Sequence, residues 1–348
     1  MTEQAPARAG AARRPTVKEV AQHAGVSPMT VSRTLAGGTN VRADVQERVW
    51  EAVQRLGYQR NENARSIRPG QSSGLIGVAI TNIANPYYST FALGVEEVAA
   101  ATGRRILLGN TSEDVDRERQ LVSDFLGRRV DGLIVVPTSR HHEHLERAVA
   151  QGVPIVLASR RAEGFAADSV VLDDEGGAHR GTLALLDAGH ARIAYLGNAR
   201  SMFTGRRRYA GFERAHRERG IAVDPALIGE GQQDVAHARE AMHRLLRLPD
   251  PPTAVFCANN RNAIGAVAEI GREIQVLGRA ASELPEIMSF DDFELSELMP
   301  VPVSVLGHDA RELGREATRL LLDRLDGVVD DPAARELRMP VTLTRRTR

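Results

Sequence analysis

Apolar residues recur in two rhythms along this chain. Between residues 15 and 58 the spacing is helical. Val17, Val20, Ala21 and Ala24 form one stripe, residues 29–36 carry a second, and Val45, Val49, Trp50, Val53 and Leu56 form a third. From residue 75 the rhythm changes. Short apolar runs at 75–80, 106–109, 132–136, 154–158 and 170–172 read as buried strands. Between them lie amphipathic stretches at 92–101, 116–128 and 144–151, which read as helices. The alternation resumes with strands at 193–196, 254–257 and 287–290. Strand-helix alternation implies a mostly parallel sheet with helices on both faces, and its recurrence implies two similar α/β lobes. Ligands of such sheets bind at the carboxyl ends of the strands, here facing a cleft between lobes.

Punctuation sharpens the first part. Thr16 with Glu19 three residues on is a capping box, and Gly25 ends the first helix. Ser27 caps the second, with Pro28 at the first helical position, where a missing N–H costs nothing. Gly37-Gly38 ends it, and Gly57 ends the third. Two helices joined at Gly25-Val26 and closed by a third make a helix-turn-helix unit. Its second helix would turn Pro28, Met29, Thr30, Ser32 and Arg33 outward. A guanidinium such as that of Arg33 can donate two bonds to guanine, and hydroxyls such as those of Thr30 and Ser32 reach phosphates or base edges.

Charge supports that reading. The chain balances 45 Lys+Arg against 45 Asp+Glu, but unevenly. Residues 1–70 carry 11 basic and 6 acidic side chains, net +5, and the rest carry 34 and 39, net −5. A basic end on an acidic body points to a polyanionic partner. Lys18 is the sole lysine, so there is no Gly-Lys-Ser/Thr phosphate loop and no lysine in the body for Schiff-base chemistry. The sole cysteine, Cys257, sits in the apolar stretch Ala254-Val-Phe-Cys257 and reads as a buried thiol, which excludes a disulfide framework or a cysteine-rich zinc site. No Gly-x-Gly-x-x-Gly follows a strand and no Gly-x-Ser-x-Gly elbow occurs, so neither a dinucleotide enzyme nor a hydrolase is expected. His141, His142 and His144, near Glu143 and Glu146, lack the spacing of a zinc helix and read as a solvated turn. No metal and no cofactor is expected.

The run Thr16-Val-Lys-Glu-Val-Ala-Gln-His-Ala-Gly-Val-Ser-Pro-Met-Thr-Val-Ser-Arg33, with residues 49–58 and Asn63-Ala-Arg-Ser-Ile-Arg68, resembles the head of the LacI/GalR family of bacterial transcription regulators. The resemblance covers nearly all of residues 15–70. It implies DNA contacts from Thr16, Ser27, Pro28, Met29, Thr30, Ser32, Arg33, Asn40 and Tyr58, with Pro28 and Met29 where base-specifying residues vary. It also implies a hinge helix contributing Asn63, Ala64, Arg65, Ile67 and Arg68. There Ile67 replaces the family's minor-groove leucine, and Arg60 stands where a proline usually precedes the hinge asparagine.

The body resembles the type I periplasmic-binding-protein fold through Asn85-Pro-Tyr-Tyr88, Arg129-Val-Asp-Gly-Leu-Ile-Val135, Gly189-His-Ala-Arg-Ile-Ala-Tyr-Leu196, Arg208-Tyr-Ala-Gly-Phe212, Phe256-Cys-Ala-Asn-Asn260 and Ser289-Phe-Asp-Asp292. By that resemblance Tyr87, Tyr88, Thr138, Ser139, Arg208, Asn259 and Asp291 hold a small-molecule effector. Asn260 replaces the usual aspartate, and Val303-Ser-Val-Leu306 the usual Leu-Thr-Thr-Val.

The expected architecture is α/β. A disordered tail (1–14) precedes a helix-turn-helix head (15–60), a hinge helix and linker (61–74) and a two-lobed effector and dimerisation domain (75–348). Lobe 1 is expected over about 75–172 and 301–320, and lobe 2 over about 174–298 and 321–348. The expected function is a sequence-specific transcriptional regulator, a repressor, controlled by a small polar metabolite such as a sugar or sugar acid. Its partners are a near-palindromic double-stranded operator, that effector and a second copy of the chain, with no membrane. Residues 1–14 lack the apolar core of a secretory signal, and the expected location is the cytoplasm, associated with the nucleoid. The competing reading is a sugar-binding receptor module without a DNA role, against which the helix-turn-helix head stands. The residues leave the sign of the response, induction or corepression, open.

Overall fold

The computed structural model describes residues 15–35, 37, 40–58, 72–138, 142–329 and 331–346. The chain divides into two compact units, residues 1–71 and 72–348. The expected tail, the expected hinge residues Asn63, Ala64, Arg65, Ile67 and Arg68, and Ser139 lie outside the described residues.

Among the described residues the first unit holds three helices: α1 (Val17–Ala24), α2 (Pro28–Leu35) and α3 (Ala43–Leu56). The capping box forms in full, with Glu19 N–H donating to Thr16 Oγ1 at 3.3 Å and Thr16 N–H to Glu19 Oε2 at 2.6 Å. Gly25 ends α1 in the left-handed region at φ 66°, where a Cβ would strain the turn into α2. Ser27 caps α2, its Oγ accepting from Thr30 N–H at 3.1 Å. Val20, Val31 and Val49 are fully buried at the centre of this small core. The third stripe differs from expectation at one position. Trp50 is 47% exposed, and Ala52, on the opposite side of the helix, is buried in its place.

Among the described residues the second unit contains two six-stranded sheets. The first has the order β11-β5-β4-β3-β1-β2, from β1 (Leu75–Ile80), β2 (Arg105–Asn110), β3 (Gly132–Val135), β4 (Ile155–Ala158), β5 (Asp168–Leu172) and β11 (Glu336–Met339). The second has the order β12-β10-β9-β8-β6-β7, from β6 (Ile193–Gly197), β7 (Ile228–Glu230), β8 (Ala254–Cys257), β9 (Glu286–Phe290), β10 (Val303–Gly307) and β12 (Thr342–Thr344). Among the described residues all pairings are parallel except β10 with β12.

Helices cover both faces of each sheet. In lobe 1, α4 (Pro86–Ala101) and α11 (Ala310–Leu325) pack together on one face, and α5 (Val115–Gly127) and α6 (Glu143–Ala150) cover the other. In lobe 2, α7 (Asp174–Asp187) pairs with α8 (Phe203–Glu218), and α9 (Val235–Leu245) pairs with α10 (Asn260–Gln275). Gly94 of α4 and Gly314 of α11 let those helices approach until a Cβ on either would strike the other's backbone.

The lobe boundaries near the C-terminus correct the expected ones. Val303–Gly307 pairs with β9 and belongs to lobe 2, not lobe 1. Glu336–Met339 pairs with β5 and belongs to lobe 1, not lobe 2. Ion pairing fixes the second assignment. Asp168 on β5 takes both Arg324 of α11 and Arg335 before β11, at 2.8 and 2.7 Å. Burial raises this carboxyl's pKa, but the two guanidinia outweigh burial and hold it at about 2. The chain therefore crosses between lobes after β5, after β10 and after β11. Asp173 N–H donates to Met339 O at 2.9 Å, tying the first and third crossings together.

Candidate DNA-reading surface and ligand cleft

On the head, Pro28, Met29, Ser32 and Arg33 are exposed along one side of α2, and Met29 is 62% exposed. Asn40 is exposed in the turn before α3. Other expected contacts already have structural work. Thr16 Oγ1 closes the capping box, and Thr30 Oγ1 lies 2.9 Å from Ser27 Oγ. Tyr58 is half-buried against the head's core. The side chains left exposed on α2 are thus an apolar pair, a hydroxyl and a guanidinium, a set chemically suited to a major-groove edge.

In the second unit, a cavity of about 570 Å³ lies between the carboxyl ends of the two sheets. Tyr87, Tyr88, Thr138, Arg208, Asn259 and Asp291 all line it. Each comes from a segment that follows or begins at a strand end, as the rule for open α/β sheets requires.

Arg208 is the electrostatic centre. It is buried on α8 with its guanidinium carbon 3.7 Å above the Phe290 ring. Its Nε donates to Asp174 Oδ1 at 2.7 Å, and its Nη1 to Ala258 O at 2.5 Å and Asp291 Oδ2 at 3.5 Å. Burial opposes its charge, but Asp291 and Asp174 outweigh burial and raise its pKa. Asp174 is raised to about 6, chiefly by burial, with Arg208 pulling the other way. Asp291 sits in the left-handed region at φ 70°, held by its N–H to Leu306 O at 3.1 Å. Its Oδ1 has no hydrogen-bond partner among the described residues and lies 3.7 Å from His308 Nδ1. The floor therefore offers one buried acceptor to a ligand's donor.

Tyr87 O–H lies 3.0 Å from Ser159 Oγ, and its ring stands edge-on to Tyr88 and His308. Burial first, then Asp291, raises the Tyr87 hydroxyl's pKa, so it stays a neutral donor. Thr138 N–H donates to Glu118 Oε2 at 2.8 Å, and its Oγ1 has no partner among the described residues. Asn259 is more committed than expected. Its Oδ1 caps α10 through Asn262 N–H, and its Nδ2 donates to Asn198 at 3.2 Å.

Two features went unread in the sequence. Arg160 is buried, and its two terminal nitrogens meet Glu113 at 2.7 and 2.8 Å. Asn85 of lobe 1 and Asn260 of lobe 2 exchange amide bonds at 3.3 and 2.9 Å across the cleft. Both arginine and glutamate directly follow strand ends, where the same rule would have looked for them.

Other expectations resolve locally. His142 and His144 are buried, not solvated, and His144 Nε2 lies 2.8 Å from buried Glu118. Cys257 is buried, which raises its thiol's pKa. Among the described residues, His243, Glu269 and Glu273 stand close enough to suggest a metal. Arg239 and Arg272 take Glu269, and Arg247 and Arg279 take Glu273, so the carboxylates serve helix packing. No helix among the described residues is long and apolar enough to cross a membrane.

Comparison with known proteins agrees with both halves. Residues 16–61 match the family model for bacterial regulatory proteins of the lacI family. Residues 73–347 match that for periplasmic binding proteins and the sugar binding domain of the LacI family. Catabolite control protein A of Priestia megaterium is 31% identical over 88% of this chain and 91% of its own. The lac repressor dimer bound to operator and the anti-inducer ONPF is 26% identical, with a TM-score of 0.81 over 96% of this chain and 99% of its own. The regulator CelR in complex with cellobiose is 27% identical, with a TM-score of 0.70 over 96% and 99%.

Proposed function

The chain belongs to the LacI family of DNA-binding transcriptional regulators, and from that premise we propose that it is a homodimeric, cytoplasmic repressor released from its operator by a small polar metabolite bound between the lobes. The observation that carries the ligand half is convergence. Six side chains scattered from residue 87 to residue 291 line one cavity, around a buried arginine and an unsatisfied carboxylate oxygen. A polyhydroxylated ligand suits this lining. One hydroxyl donates to Asp291 Oδ1, Arg208 and Tyr87 donate back, and the tyrosine rings flank its apolar face.

Binding would act through the three crossings. Asp291 lies directly after β9, and His308 stands on the second crossing, so a ligand drawn to Asp291 pulls on lobe 2 and on that crossing together. A changed lobe angle changes the spacing of two linkers in a dimer, and with it the fit of two heads to a two-fold operator. A coupling of ~1–3 kcal/mol corresponds to about a 5–150-fold change in operator affinity. Arg33 and the exposed α2 residues read bases in this account, and Asn63, Ala64, Arg65, Ile67 and Arg68 contact the minor groove and phosphates. The reading that this is a ligand receptor without a DNA role has no observation in its favour.

Selection of DNA from a random pool by the purified protein tests the regulator half. A near-palindromic consensus, bound with an affinity that falls linearly in log salt, is expected. Recovery of unselected sequence, or a flat salt response, would overturn it.

A further inference from the structure

The cleft is lined by charges of both signs. Three guanidinium groups line it, those of Arg160, Arg208 and Arg261. Three carboxylates line it as well, Glu113, Asp234 and Asp291, and Asp174 stands behind Arg208 as a fourth. Arg160, which follows β4 in lobe 1, is engaged within the protein. Arg160 meets Glu113 in fork-to-fork geometry and spends a third bond on Pro137 O at 3.1 Å. Burial works against its charge, and Glu113 more than restores it.

The turn that presents Glu113 is itself constrained. Ser112 and Glu113 both adopt left-handed backbone, at φ 54° and 60°, which residues with a Cβ seldom do. Asn110 Nδ2 and Arg117 Nη1 pin Ser112 Oγ at 2.8 and 3.1 Å. A strained, doubly pinned turn that delivers a carboxylate to a buried cation holds that cation away from other anions.

We propose that the Glu113–Arg160 pair sets the charge selectivity of the cleft, so that it accepts neutral polyhydroxylated ligands and turns away their carboxylated and phosphorylated counterparts. This rests on reading the cleft as the metabolite site and deepens it. An anion drawn to Arg160 must displace a carboxylate already held by two short charge-assisted bonds, and one that reaches the floor meets the unbonded Asp291 Oδ1. Arg261 has no carboxylate partner among the described residues, so the selectivity is exerted at Arg160. A neutral ligand meets neither penalty, and its hydroxyls supply the donor that Asp291 lacks. Glu113 is a specificity-determining residue in this account, acting through Arg160.

The test compares the full-length wild type with Glu113→Gln by thermal unfolding and calorimetry. Sulfate at matched ionic strength is the anion probe. Glucose, ribose and a nucleoside are tested against gluconate, glucose 6-phosphate and ribose 5-phosphate. Glu113→Gln should gain at least tenfold in sulfate affinity over the wild type and shift the anionic-to-neutral preference the same way. Adding Arg160→Met to Glu113→Gln should abolish the gain, which separates it from sulfate held by the basic head. If Glu113→Gln does not fold, Glu113→Asp should give a smaller gain of the same sign. A wild type that already prefers the anionic compounds, or variants whose sulfate affinity does not move, overturns the inference. Binding of no sugar, sugar derivative or nucleoside by either protein is a different result, which overturns the metabolite reading of the cleft and this inference with it.

Discussion

Replacing Asp174 by asparagine should stabilise the protein at neutral pH, although it removes one partner of a buried ion pair. Asp174 is 2% exposed, and among the described residues only its Oδ1 is bonded, to Arg208 Nε. Burial dominates its titration, Arg208 offsets part of that cost, and Asp291 nearby adds to it. The carboxyl titrates at about 6, against 3.8 when unperturbed. A folded pKa above the unfolded one means that the native state binds the extra proton between those values. Stability then falls as pH rises from about 4 to about 6 and stays reduced above. A carboxyl raised from 3.8 to about 6 costs on the order of 3 kcal/mol when ionised above pH 6. Asparagine keeps the shape and the acceptor for Arg208 without the charge. The variant should gain about 1–3 kcal/mol at pH 8 and almost nothing at pH 3.5. The single tryptophan, Trp50, lies in the head, so unfolding of the body in urea is followed by circular dichroism. A variant less stable by ~1 kcal/mol or more at pH 8, with the deficit vanishing on acidification, would refute the reasoning. It would mean that attraction to Arg208 outweighs burial.

Two further outcomes follow from named contacts. Arg33→Ala should cost about 1–3 kcal/mol on the selected operator and much less on scrambled DNA; equal losses on both would deny Arg33 a base-reading role. Asn85→Ala and Asn260→Ala should be strongly non-additive in effector affinity, with a coupling of roughly 0.5–3 kcal/mol, because each removes the same inter-lobe amide pair. Additive effects would mean that the pair does not bridge the lobes in solution.

The head was nearly all legible because its signals are local. Thr16 with Glu19, Gly25, and Ser27 with Pro28 each specify a cap within four residues. Trp50 misleads because size outweighs phase in the pattern: helical geometry buries Val49 and Ala52, and alanine is a weak hydrophobic signal. In the body, strands with buried continuous runs were legible. The short edge strands β7, β11 and β12 were not, since their pattern is half-polar and their partners lie far away in sequence. The same distance explains the misplaced lobe boundary, because sheet membership of β10 and β11 is decided by pairing and not by local pattern. The resemblance supplied Arg208 and Asp291 as effector residues, and the cavity brings them together. Asp174, Arg160 with Glu113, and Asn85 with Asn260 went unnoticed, as pairs between 34 and 175 residues apart leave no periodic trace. The local pattern misplaces His144 because a buried carboxylate 26 residues earlier, Glu118, decides its setting.

The most direct test of the central claim is one anisotropy titration on the selected operator, with wild type and Asp291→Asn side by side, across the neutral sugars and nucleosides. Asparagine tolerates the left-handed backbone of this position, so folding and operator affinity should persist. One compound should lower the wild-type affinity by about 5–150-fold and leave Asp291→Asn unmoved. A compound that releases both proteins equally would place the controlling site outside this cleft and contradict the account.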